Sequence, residues 1–135
     1  MWAIVFIAVY ALCNSVMDAL NFNFSKSIFN SKKLNANFWN PQISWRNKYK
    51  DNDPSKGDRF FLSSTLFVGF TDAWHLFKQT GLISLGLAIV LYNPIVNLWV
   101  DFLLLQLVRG VFFTVSRMIF IQRWYGPLKF LEKWF

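Results

Sequence analysis

The chain is poor in the residues from which most active centres are assembled: its 135 residues include one cysteine, one histidine and seven acidic groups, and Glu132 is the only glutamate. A lone Cys13 in an apolar run excludes a disulfide framework and a cysteine-based metal site, and says nothing of compartment. Charge is scarce as well, at 16% of residues, which excludes a disordered polar tail. Basic residues are missing altogether from Met1 to Phe24, so the N-terminal apolar run lacks the charged start of a secretory signal. Leu12 stands before Cys13 where lipoprotein processing needs a small residue, and the segment is expected to be retained.

What is abundant is apolar and aromatic: 55% of residues are hydrophobic and 20% aromatic, with sixteen Phe and seven Trp. A water-soluble domain of this length would have to expose much of that load, whereas a bilayer accepts it. The pattern predicts an all-α membrane protein, a single integral membrane domain over 1–135 with three transmembrane helices and interfacial amphipathic segments. The first span is 2–22, long enough to cross if Asn14, Ser15 and Asp18 are tolerated as polar positions. The second is 71–92, with Thr71 as N-cap and Asp72 in the first turn. The third is 94–116 within a longer helix, with Asn93 as cap and Pro94 at the first helical position.

Between the first two spans, 23–59 reads as a basic interfacial and cytoplasmic loop, and 60–70 as a short interfacial or re-entrant piece. Residues 122–135, after Gly126-Pro127, read as an amphipathic tail. Trp2, Trp39, Trp45, Trp74, Tyr92, Trp124, Tyr125 and Trp134 are expected as interfacial anchors. The net charge of +7 is concentrated in Lys26 to Arg59 and in the tail. By the positive-inside tendency, the N-terminus and the Tyr92 to Pro94 turn face out and the loop and C-terminus face the cytoplasm, in a bacterial inner membrane or a viral membrane. The same charge suits anionic lipid headgroups and calls for no nucleic acid.

Depth arithmetic is the main guide to chemistry. Asp18 lies sixteen residues from Trp2, Lys78 fourteen from Tyr92 and Arg109 fifteen from Pro94, which places all three in one layer roughly 21–24 Å from the outer face. With Asn14, Asp72 and His75 nearby they form a candidate intramembrane polar cluster, in which Asp18 pairs with Arg109 or Lys78. Snorkelling of the two cations, with Asp18 at the water boundary, is the plainer account. Asp101 is expected in the outer half, hydrogen-bonded by Tyr10 or Ser84. Asp72 and His75 share a helix face, but a metal needs more ligands than they offer. Ser63 or Ser64 with His75 and Asp72 has the letters of a hydrolase triad without its glycine pattern. No catalytic, cofactor-binding or metal residue is assigned, and no cofactor is expected.

The stretches WNPQISWRNKY (39–49) and TDAWHLFK (71–78) resemble segments of small uncharacterised multi-pass membrane proteins of bacterial and phage genomes, a resemblance that implies a membrane setting and no activity. The expectation is a non-enzymatic structural or accessory component of a membrane assembly, with protein partners or further copies of itself. Trp99, Phe102, Phe112, Phe113 and Phe120 would then face lipid or a neighbouring subunit. The alternatives are a holin-like or channel-forming protein, and a membrane-embedded enzyme or lipid-binding protein working through Asp18, Asp72, His75 and Arg109.

Overall fold

The computed structural model describes residues 2–121, and the anchors Trp124, Tyr125 and Trp134 and the expected tail lie outside them. All regular structure among the described residues is helical. Helix α1 is Trp2–Phe22, an apolar run without proline or glycine to interrupt it. Two one-turn helices follow, α2 (Ala36–Trp39) and α3 (Pro41–Ser44), then α4 (Ala73–Val90) and α5 (Leu98–Phe120). Between them the chain makes short 3-10 turns.

Helix starts are set by side-chain caps. Asn40 accepts from the Gln42 amide at 3.0 Å with Pro41 at the first helical position, so Asn-Pro starts a turn of helix inside the segment expected as a loop. Asp72, not Thr71, caps α4 by accepting from the His75 amide at 2.9 Å. Asn97, not Asn93, caps α5 by accepting from the Val100 amide at 3.0 Å. The third long helix therefore begins one turn later than Pro94 suggests and ends at Phe120.

Two of the long helices, α1 and α5, are long and apolar enough to cross a membrane. Helix α4 is shorter, 18 residues, and its first two turns carry His75, Lys78, Gln79 and Thr80. Helix α1 packs against both α4 and α5, which scarcely touch each other, so the three form a layer with α1 in the middle. Small residues make the close approach: Ala11, Cys13, Ser15 and Ala19 of α1 are buried, as are Ala73, Gly81, Ser84 and Ala88 of α4. A side chain at Gly81 would set its Cβ 3.3 Å from that of Cys13.

The core sits at one end of the layer, where α1 and α5 end and α4 begins. Val16, Ala19, Leu20, Phe29, Ala73 and Ile121 are its buried centre. The connecting segment folds over that end: Phe29 stacks on Trp39 at 4.9 Å between ring centroids and lies 5.3 Å from Phe120. The Ile28 amide donates to the Phe120 carbonyl at 3.0 Å. Much of 23–59 is thus packed structure, and Trp39 and Phe120 belong to its core rather than to a lipid-facing surface. The segment 60–70 is tied down from α4, where Gln79 donates to the Leu66 carbonyl at 2.9 Å and accepts from the Gly69 amide at 3.1 Å.

Candidate functional site

Because α1 is recessed between two neighbours, one face of it becomes the floor of a groove of about 420 Å³. Tyr10, Asn14, Asp18 and Asn21 line that floor, spaced three to four residues apart along one side of the helix. Trp74 of α4 stands on one side, Arg109 and Phe113 of α5 on the other. The groove brings Asn14, Asp18 and Arg109 of the expected polar cluster together. It leaves out Asp72, His75 and Lys78.

The expected ion pair changes partner. Asp18 accepts from Nε of Arg117 at 2.7 Å, while Nε of Arg109 donates to Gln106 at 3.0 Å. The register of α5 explains this: counted from the end the two helices share, Arg109 lies eleven residues back and so about two turns from Asp18's level, whereas Arg117 lies three residues from the end of α5 and Asp18 four from the end of α1. Among the described residues Lys78 has no carboxylate partner either: its ammonium sits 5.0 Å from the Trp74 ring centroid, one turn back on α4.

Asp72 and His75 do meet. The carboxylate caps α4, accepts from the Thr71 hydroxyl at 3.1 Å and lies 2.7 Å from Nδ1 of His75. Asp72 is buried, so both its oxygens are consumed in shaping the helix start. Among the described residues no group of three metal-ligating side chains converges. Ser63 is committed elsewhere: its hydroxyl donates to the Lys48 carbonyl at 2.6 Å and accepts from the Arg59 amide at 3.0 Å. That commits Ser63, one of the two candidate nucleophiles, away from His75.

Asp101 likewise differs from expectation. Neither Tyr10 nor Ser84 reaches it; the Tyr92 hydroxyl donates to it at 2.8 Å, and the Ile95 and Val96 amides at 2.8 and 3.1 Å. One carboxylate at the start of α5 holds the whole return of chain from α4. The Tyr92 phenol is pushed above its ordinary value, first by its hydrogen bond to Asp101 and then by burial and the nearby negative charge.

A second concavity, about 490 Å³, lies in the connecting segment and is strongly polar. Asn35, Asn47, Asp51, Asn52 and Arg59 line it, with Thr71 at its edge. Asn47 joins the two stretches singled out in the sequence by donating to the Thr71 carbonyl at 3.0 Å and to the Asn37 carbonyl. Asp51 and Asn52 both take the left-handed backbone conformation, with φ of 52° and 59°, which their short polar side chains tolerate. Asn47, Gln79 and Arg117 were not candidates from sequence. Only Arg117 carried a usable signal, its closeness to a helix end matching that of Asp18.

Of the remaining anchors, Trp2 and Trp45 are exposed, and the Arg46 guanidinium lies 5.2 Å from the Trp45 ring centroid. Trp99, Phe102 and Phe112 are exposed on α5, whereas Phe113 is half-buried in the groove. No protein-family model matches the chain, and no curated protein or solved structure is significantly similar to it.

Proposed function

We propose that the chain is an integral membrane protein that acts without catalysis, as a structural or accessory component of a larger membrane assembly. The surface of α5 carries this reading. Only 6% of its most apolar stretch is buried in the fold, against 50% for α1, and Leu98, Trp99, Leu103, Leu107, Val115 and Ile119 stand open along it. Water makes such a surface costly at about 25 cal/mol per Å² of apolar area, so lipid or another protein must cover it. In this reading α4 is the third span, its polar first half kept near the headgroups. The basic connecting segment lies on the cytoplasmic side and the Tyr92 to Asn97 return outside.

The groove supports assembly over the alternatives, because α4 and α5 stand apart and leave an open channel-less layer rather than an enclosed lumen. A pore would need several copies. An enzyme working through Asp18, Asp72, His75 and Arg109 finds less support, since among the described residues Asp18 is paired with Arg117 and Asp72 caps α4 and holds His75, while Arg109 stands apart from Asp72 and His75.

Three measurements test the reading. Alkaline carbonate should leave the protein in the membrane pellet, and release into the supernatant would end the membrane assignment. Cysteines introduced by Asn93→Cys and Lys133→Cys should label from opposite sides, with little background because Cys13 is buried. Native mass spectrometry in mild detergent should show the chain bound to other subunits; a bare monomer would sink the assembly role.

A further inference from the structure

The membrane assignment gives Arg109 an unusual position. It is the middle residue of α5, eleven from Leu98 and eleven from Phe120, so its Cα lies about 16 Å from either end. Its side chain turns toward the N-terminal end, as helical side chains do, and Nε reaches Gln106. That contact leaves the guanidinium still about 12 Å inside the helix end, too deep for the headgroups to solvate. Among the described residues the ion pairs join Lys56 to Asp51 and Arg117 to Asp18, His75 hydrogen-bonds Asp72, and none of these includes Arg109.

A charge at that depth is expensive and normally has a partner at its own level. Every aspartate within or capping the three long helices is already engaged: Asp18 with Arg117, Asp72 with His75, Asp101 with Tyr92 and two amides. A second copy of the chain would bring the same engaged carboxylates. Beside Arg109 the groove also offers Tyr10 and Asn14, both able to hydrogen-bond an oxygen ligand. Trp74 and Phe113 supply apolar walls.

Resting on the proposed membrane role, we infer that this groove docks a transmembrane helix of a different protein, one that carries a single carboxylate near its midpoint and sets it against Arg109. Depth selects the occupant. A phospholipid phosphate belongs at the headgroup level, about 15 Å from the midplane, and would have to enter the hydrocarbon to meet this guanidinium. A carboxylate at the centre of a spanning helix is already there, and a bidentate pair relieves both charges at once.

The test uses the full chain in phosphatidylcholine vesicles, with a donor dye attached through Asn93→Cys, and acceptor-labelled polyleucine helices of about 20 residues as probes. The probe with one central glutamate should associate more tightly than its all-leucine counterpart by roughly three- to thirty-fold. Arg109→Leu should abolish that preference and Lys78→Leu should leave it intact. Arg109 is exposed and bonds only Gln106 among the described residues, so helical content should be unchanged. Moving the glutamate toward either probe end provides a check that needs no variant of the chain, and association should fall with each turn. Equal binding of the two probes by an inserted chain, or strongest binding with a terminal glutamate, overturns the inference. So does Arg109-dependent displacement of the probe by phosphatidylglycerol, which would assign the groove to lipid. A chain that carbonate strips from the vesicles overturns the membrane reading itself.

Discussion

Helices α1 and α5 are near twins by length and apolarity, 21 and 23 residues, yet they occupy opposite roles. Helix α1 is the middle of the layer and buries Ala3, Ala11, Cys13, Ser15 and Ala19, small side chains that let two neighbours close in. Helix α5 contributes one flank and buries only Asp101 and Ser116, leaving its leucines, valines and aromatics outside. Mean apolarity decides whether a helix can live in a bilayer; the distribution of side-chain size decides whether it faces protein or lipid.

Truncation should separate the two helices most widely. Leu20 is 1% exposed in the packed end of α1, and Leu20→Ala should cost about 2–5 kcal/mol through lost contacts and a residual cavity. Leu103, 66% exposed on α5, should lose less than about 0.5 kcal/mol on the same change. Unfolding in mixed micelles measures both, and comparable losses would mean that α5 is covered by the protein itself.

Enlargement gives the next largest contrast. Gly81→Leu must force α1 and α4 apart, and should cost about 1–3 kcal/mol. Gly110 has nothing within 4 Å of where its Cβ would stand, and Gly110→Ala should be neutral or stabilising by up to about 1 kcal/mol. A destabilised Gly110→Ala would reveal a tight contact on the supposedly free face of α5.

The two arginines of α5 also differ in how they are held. A double-mutant cycle of Asp18→Asn with Arg117→Leu should show coupling of about 0.5–1 kcal/mol, modest because the pair is partly exposed. Asp18→Asn with Arg109→Leu should be additive. Coupling to Arg109 and none to Arg117 would restore the pairing expected from sequence.

How far these features can be read in advance follows from what competes with them. The far limit of α1 is plain, because a largely apolar run without proline or glycine meets Asn21 and Asn23 there. The start of α5 is not, because Asn93 and Asn97 are both good caps and only the folded turn favours the second: Asp101 gathers Tyr92, Ile95 and Val96 into a return that occupies the turn Pro94 would have begun. Depth counted from Pro94 put Arg109 in Asp18's layer, and the register of α5 sets it about two turns away. The aromatic cap of Phe29, Trp39 and Phe120 was hidden for another reason, since its members lie far apart in sequence with no shared period.

The smallest effect concerns that return, which lies at the opposite end of the layer from the aromatic cap. Tyr92 donates to a carboxylate, and ionising the phenol would remove the proton of that hydrogen bond and set two negative groups together. The folded state therefore holds the proton more tightly than the unfolded chain does, where tyrosine titrates near about pH 10. The stability from this bond is complete below the unfolded value and is lost as pH rises through the higher folded one. The phenolate absorbance difference between the parent and Tyr92→Phe should titrate above the ordinary tyrosine range. With Asp101→Asn as background, the same difference should move back down, since the amide still accepts the bond but carries no charge. A midpoint at or below the ordinary value in the parent would mean that the return is open in solution, and that Asn93 and Pro94 are free to begin the helix a turn early.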